Sequence, residues 1–239
     1  MGKLYKSVFF DADDTLFDYP RAERAALLAC ITEFRIPIEA DTIVAAYRRH
    51  NRDAWQAFER GETDQETLRV ERFRRLGAEL GLALPLEGIG GFYLEALSRQ
   101  SQLLPGALEL VRELAPVYPL ALITNGIAFV QRRRFAASPI TPLFQAIVIS
   151  EEAGVAKPDP RIFAPALERI GVAAADVLYV GDSVTSDMAA ARNAGMDFCW
   201  LNPSGAPVPE GFAPAYVVAA VGEISPFLGR LSRRPEGKI

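Results

Sequence analysis

Apolar positions along this chain change their spacing twice. Between Leu4 and Phe10 they are nearly continuous (LYKSVFF) and stop at an acidic turn, which predicts a short strand buried on both faces. From Pro20 to about Gln100 they recur every three or four residues instead. Arg21–Phe34 carries a stripe through Ala25, Leu28, Ala29 and Ile31, and Asp41–Arg60 continues with Ile43, Ala46, Tyr47, Trp55 and Phe58. Thr63-Asp64-Gln65-Glu66 has capping-box spacing, so a helix is expected from there towards Gly81. Leu86–Arg99 predicts a further helix, and no stretch of this block reads as a strand.

After Pro105 the two periods alternate. Helices are expected over Gly106–Leu114, Ile127–Ala137, Pro160–Ile170 and Thr185–Ala194, with a closing helix over Ile224–Leu231 and a polar tail at Arg233–Ile239. Strands are expected over Tyr118–Thr124, Ala146–Ser150, Val177–Gly181, Asp197–Leu201 and Tyr216–Val218. Strands alternating with amphipathic helices make an α/β protein with a parallel sheet covered on both faces. The helical block is then an insertion after the first strand. The expected division is a catalytic core of residues 1–18 and 104–239 and a helical cap of residues 19–103, placed over the carboxyl edge of the sheet. Proline and glycine at Phe17–Pro20 and Leu103–Gly106 mark the expected hinges of a cap that closes to exclude water.

Composition narrows the function classes. The 239 residues are half apolar, enough for a sizeable core, yet no run approaches the roughly 18 apolar residues of a membrane span. The start MGKLYK suits neither a signal peptide nor a myristoylation site, so a soluble cytoplasmic protein with no membrane partner is expected. A net charge of −4 with mixed signs argues against nucleic-acid binding but leaves room for a small anionic substrate. Cys30 and Cys199 read as small buried residues outside any zinc pattern. One histidine, His50, makes a Ser/His/Asp triad or a multi-histidine metal site hard to build.

In open parallel sheets, ligands sit beyond the carboxyl ends of the strands. The first strand ends in Asp11-Ala12-Asp13-Asp14-Thr15 and the next core strand in Thr124-Asn125-Gly126. The third is followed by Lys157-Pro158 and the fourth by Gly181-Asp182-Ser183-Val184-Thr185-Ser186-Asp187. A single aspartate at such an end often caps a helix; four ends so equipped point to chemistry. Asp11 and Asp182 can hold one hard cation, and magnesium suits oxygen ligands while keeping waters for a phosphate to replace. Each pair of like unit charges at ~4 Å costs on the order of 4 kcal/mol at an effective dielectric near 20, a penalty that a divalent cation offsets for a carboxylate attacking a phosphate. Lys157, the Thr124 hydroxyl and the N–H groups of Asn125 and Gly126 can bind the phosphate. Asp13, two residues from Asp11, would face the same way in an extended segment, so one carboxylate can attack while the other moves protons.

These motifs resemble the haloacid-dehalogenase (HAD) superfamily of hydrolases: DADDT its first, Thr124 its second, Lys157 its third and GDSVTSD its acidic fourth. The resemblance implies a Rossmann-like core and an inserted helical cap of the C1 type. It implies Asp11 as nucleophile and Asp13 as general acid/base, with Mg2+ on Asp11, Asp182 and the main-chain carbonyl of Asp13. Thr124 and Lys157 would bind phosphate, and Asp187 would orient Lys157 or a metal-bound water. FFDADDTLFDY, LITNG, VISEEAGVAKPDPRIFAPALERIG, VLYVGDSVTSDMAAARNAGM and CWLNP together are similar to the pyrimidine 5′-nucleotidase branch. That implies a phosphatase of nucleoside monophosphates.

Other readings stay open at this point: a phosphatase of sugar phosphates or other small esters, a phosphomutase, a haloacid dehalogenase, or a non-catalytic binding module. Dehalogenases lack the second aspartate of the first motif, which Asp13 supplies here. Tyr47, Trp55 and Phe58 could stack on a base or form the cap's own core, and Phe17 and Tyr19 could line the cleft. Arg132, Arg133 and Arg134 read as a solvated helix face. Glu151, Glu152 and Asp159 read as surface charges or caps, and Asp14 as a turn or helix cap.

Overall fold

The computed structural model describes residues 3–225 and 228. The expected closing helix over Ile224–Leu231 falls mostly outside them, and the tail Arg233–Ile239 wholly so. In chain order, β1 (Ser7–Phe10) is followed by helices α1 (Tyr19–Glu33), α2 (Ala40–Glu59), α3 (Gln65–Leu80) and α4 (Leu86–Ser98). Then come α5 (Ala107–Leu114), β2 (Leu120–Thr124), α6 (Ala128–Ala136), β3 (Ala146–Ile149), α7 (Ser150–Ala153), α8 (Ala164–Ile170) and β4 (Val177–Gly181). The described chain continues with α9 (Ala189–Ala194), β5 (Asp197–Leu201) and β6 (Tyr216–Val218).

Two compact units result. Among the described residues, one contains the chain from Lys3 to Asp18, Leu103–Gly126 and the residues from Ser138 onward; the other contains Tyr19–Gln102 and Ile127–Ala137. In the first, the strands form one sheet in the order β3-β2-β1-β4-β5-β6, every pairing parallel. This is the Rossmann-like α/β arrangement. Residues of β1, β2 and β4 are buried without exception, as strands covered on both faces must be. The chain adds β2 and β3 on one side of β1 and β4 to β6 on the other, so the order reverses at β1. The carboxyl end of β1 is thus the switch point where open sheets bind ligands. Phe9, Ile123, Ile162, Phe163 and Tyr179 belong to the apolar cluster beneath it.

Local chemistry moves several boundaries. β1 starts at Ser7, and Leu4, expected within it, is 53% exposed. The expected helix over Pro160–Ile170 opens as a tighter 3-10 turn, Pro160–Phe163, where Asp159 accepts from the Arg161 N–H. The one expected over Thr185–Ala194 opens as a π turn, Val184–Met188, with the N–H groups of Asp187 and Met188 both donating to the Ser183 carbonyl at 3.0 Å. Such turns are frequent at functional sites because they re-aim side chains.

The helical unit packs α1 to α4 and α6 around Leu27, Tyr47, Phe73, Leu76 and Tyr93. The N-cap of α3 is Asp64, not Thr63: its carboxylate accepts from the Thr67 N–H at 2.7 Å. Helix α6, expected with the sheet, groups with this unit. Arg133 pairs with Glu95 of α4 at 2.7 Å, and Arg134 donates through Nε to the Gln100 carbonyl at 2.9 Å. Arg134 is therefore buried rather than part of a solvated face. Tyr47 is core, while Trp55 and Phe58 are half-buried and meet edge to face. Among the described residues no helix is long and apolar enough to cross a membrane.

Candidate active site

Asp11 is the first residue past β1, and its N–H continues the ladder to the Val180 carbonyl of β4 at 2.8 Å. That bond fixes the backbone beneath a carboxyl that is almost wholly buried. The chain then turns tightly: the N–H groups of Leu16 and Phe17 both reach the Ala12 carbonyl, at 2.9 and 2.8 Å. Asp14 takes a left-handed conformation (φ 60°), which aspartate tolerates better than most residues, so its part in the turn is backbone shape.

Lys157 comes from the segment after β3 and is anchored at its backbone by Asn125. The Asn125 amide donates to the Lys157 carbonyl (2.9 Å) and accepts from the Lys157 N–H (2.8 Å), imitating a peptide partner on both sides. Its side-chain ammonium is buried and reaches Asp11 Oδ1 at 2.5 Å and Asp187 Oδ1 at 2.6 Å. It also lies 3.2 Å from the Tyr179 hydroxyl and 3.3 Å from the Ile123 carbonyl.

Asp187 sits in the π turn after β4. Its Oδ2 accepts from the Ser183 N–H at 3.1 Å and its Oδ1 from the Tyr179 hydroxyl at 2.8 Å, besides Lys157. The carboxylate rests against Gly181, where a Cβ would stand 2.6 Å from Asp187 Cγ. Only glycine permits that approach. Asp182 stands between them in sequence. Its main-chain carbonyl accepts from the Trp200 indole at 2.8 Å, and its carboxylate meets the Thr15 hydroxyl at 3.5 Å.

The structure therefore brings Asp11, Lys157, Asp182 and Asp187 to one point, and ligand atoms of the three aspartates lie within 4.8 Å of one another. Thr124 is buried at the end of β2. Gly126, expected to offer its N–H to phosphate, donates it to the Ser150 hydroxyl at 3.1 Å. Asp13 is half-buried and lies outside the grouping of three. Tyr179, Ser150 and Trp200 were not singled out from the sequence: Tyr179 and Trp200 sit inside strands and read as core.

Three buried or half-buried carboxylates share one ammonium here, a surplus of negative charge in a low-dielectric setting. Burial and the charge of Asp187 raise the Asp11 carboxyl well above the usual range against the pull of Lys157. Burial, then Asp187 and Asp14, raise Asp182 likewise. Burial alone would lower Lys157, but the charges of Asp11 and Asp187 outweigh it and hold the ammonium protonated. A hard divalent cation fits this all-oxygen set and would remove the repulsion. Asp187 already accepts from three donors, so Asp11 and Asp182 are the carboxylates suited to the cation.

A family model for haloacid dehalogenase-like hydrolases matches residues 5–195. The HAD-hydrolase YfnB of Bacillus subtilis is 34% identical over 224 residues, covering 93% of this chain and 94% of its own. Its crystal structure, bound to magnesium and described as revealing interdomain movement, superposes with a TM-score of 0.88 over 95% of this chain and 99% of that one. The pyrimidine 5′-nucleotidase YjjG of Escherichia coli is 32% identical over 226 residues, 92% of this chain and 96% of its own. The pyrimidine 5′-nucleotidase PynA of Streptococcus pneumoniae is 33% identical over 206 residues, 84% of this chain and 85% of its own.

Proposed function

Because the chain belongs to the haloacid dehalogenase-like hydrolases, we propose that it is a magnesium-dependent phosphatase of nucleoside monophosphates, with Asp11 as its nucleophile. The observation that carries this reading is the Lys157 ammonium set between Asp11 and Asp187 beside Asp182. The fold alone would support many reactions, so it is the site that carries the function.

In this mechanism an Asp11 carboxylate oxygen attacks phosphorus, and the bond to the ester oxygen breaks. Asp13 gives its proton to the leaving alcohol. As a carboxylate it then takes a proton from water, whose oxygen attacks the aspartyl phosphate. Phosphate leaves and the Asp11 carboxylate is restored. Lys157 balances charge on the non-bridging oxygens, and the Thr124 hydroxyl and the Asn125 N–H position them. Magnesium, held by Asp11, Asp182 and the Asp13 carbonyl, would supply the positive charge that lets an anion attack a phosphate. Asp187 keeps Lys157 in place. The presence of Asp13 separates this chemistry from dehalogenation, which needs no leaving-group acid. The nucleotide preference rests on similarity to YjjG and PynA along most of the chain. The choice of leaving group falls to the cap expected from the sequence, residues 19–103.

The test is phosphate release from a panel of monophosphates with magnesium and with a chelator. Magnesium-dependent release favouring uridine, deoxyuridine or thymidine monophosphate supports the whole reading. Release favouring sugar phosphates or phosphoglycolate keeps the mechanism and discards the nucleotide preference. No release from any ester overturns the mechanism.

A further inference from the structure

From inside the apolar core of the sheet-bearing unit, the Tyr179 hydroxyl touches the ionic cluster. Tyr179 lies on β4, and its ring meets Phe163 edge to face at 5.0 Å and Phe198 at 5.8 Å. Its ring neighbours are phenylalanines, and a phenylalanine here would pack as well. What tyrosine adds is the oxygen, which is fully buried and so needs partners. It finds charged ones: it donates to Asp187 Oδ1 at 2.8 Å and accepts from Lys157 Nζ at 3.2 Å.

An ammonium has three N–H groups to give. Here Asp11 Oδ1 and Asp187 Oδ1 take two, and Tyr179 with the Ile123 carbonyl occupies the third direction. A substrate phosphoryl oxygen must therefore displace one existing partner of Lys157. The Asp187 side is tied doubly, since Tyr179 bonds both the lysine and the carboxylate oxygen that the lysine holds. The Asp11 side has no such brace.

From this geometry we propose that Tyr179 is a positioning residue that braces Lys157 against Asp187, so that the Lys157–Asp11 contact is the one exchanged for substrate phosphate. The inference deepens the phosphatase reading and rests on it. Without the hydroxyl, Lys157 is held by its two carboxylates and the Ile123 carbonyl alone. Its donor towards phosphate then loses its direction, while the attacking carboxylate is released less readily.

The experiment is Tyr179→Phe, measured three ways. With magnesium and the best monophosphate of the panel, kcat/KM should fall about tenfold, most of it through KM. Inhibition by inorganic phosphate should weaken by a similar factor, and the thermal midpoint should stay within a few degrees of the parent. The third measurement is calorimetric binding of inorganic phosphate, with magnesium, to Lys157→Met and to Lys157→Met/Tyr179→Phe. A residue that acts through the lysine should leave these two within about twofold of each other. Unchanged kcat/KM and phosphate inhibition in Tyr179→Phe would overturn the inference, and so would an equal loss of phosphate affinity with and without the lysine. A parent protein that releases no phosphate from any ester sinks the phosphatase reading first, and this inference with it.

Discussion

Both units of this chain bury an ionic cluster, and the two are built on opposite plans. At the centre of the cluster in the helical unit is Arg72, 1% exposed and ringed by Tyr47, Phe73 and Tyr93 at 5.7, 5.7 and 4.9 Å from their centroids. It donates to Asn51 at 2.9 Å; Asn51 donates to the buried Glu23 at 3.2 Å, and Glu23 also accepts from Arg48 at 2.7 Å. Cations there meet an anion and aromatic faces, which favour positive charge. In the sheet-bearing unit one ammonium faces three aspartates, and two of those carboxyls are pushed up. The helical cluster is near electrical balance and reads as architecture. The other carries a standing excess of negative charge that a folded chain gains nothing by keeping, and such an excess is what a cation-dependent site requires.

The contrast predicts opposite responses to losing a charge. Asp11→Asn should lower turnover by at least about 10⁴-fold, since an amide cannot form the proposed aspartyl-phosphate intermediate. In chelator its melting temperature should nevertheless equal or exceed the parent's, because one of three crowded carboxylates is gone. A variant that melts much lower would mean that the cluster is architecture after all. Arg72→Ala should do the reverse. It should cost about 3–5 kcal/mol of stability by denaturant titration, through a cavity among the rings and the loss of the donor to the buried Asn51 oxygen. Per folded molecule, turnover of p-nitrophenyl phosphate should stay within about threefold.

The same contrast explains what the sequence made legible. Asp11 and Asp182 were readable because each stands where a strand stops, and Lys157 and Asp187 because they lie in the segments that follow β3 and β4; polar residues gathered beyond four parallel strands have few structural reasons to exist together. Tyr179 was not, because mid-strand aromatics are nearly always core, and its ring is core; only its oxygen takes part. Asn125 was legible as a site residue, but the amide that grips both sides of the Lys157 backbone depends on a contact 32 residues away. Helix α6 has an unremarkable apolar pattern, so nothing local says which unit it joins; Arg133 on Glu95 and Arg134 on Gln100 decide that. Arg72 lay unseen on a helix rich in arginines, since burial of one among several depends on which rings the fold brings round it.

Gly181→Ala probes the crowded cluster through its geometry alone. The new methyl would stand 2.6 Å from Asp187 Cγ, so the carboxylate must move and take its hold on Lys157 and Tyr179 with it. Turnover should fall by roughly ten- to a hundredfold, for a stability cost of about 1–3 kcal/mol. Alanine at Gly91, where a Cβ meets nothing within 4 Å, provides the matched control in the helical unit. Equal effects at both positions would mean that the approach of Asp187 to Gly181 has no special weight.

The smallest expected effect is a dependence on pH, and it discriminates most directly between the two clusters. Asp11 and Asp182 have folded pKa values above the ordinary carboxylate value of about 4. Such groups bind protons more tightly folded than unfolded. Their penalty is absent at low pH and grows as pH rises from about 4 through their folded values. Lys157, raised, contributes stability throughout this range and loses it only above its ordinary value of about 10.4, so it adds no slope near neutrality. Magnesium competes with protons for the two aspartates. The gain in melting temperature on replacing chelator by magnesium should therefore increase between about pH 5 and pH 8. A rise of roughly 2–4 °C corresponds to about 1 kcal/mol for a chain of this size. Glu23 is also raised by burial, but no cation replaces its proton, so its slope cancels in the difference between the two melts. A magnesium gain that is flat with pH, or that survives Asp182→Asn, would place the cation elsewhere and remove the reason given for the surplus of charge.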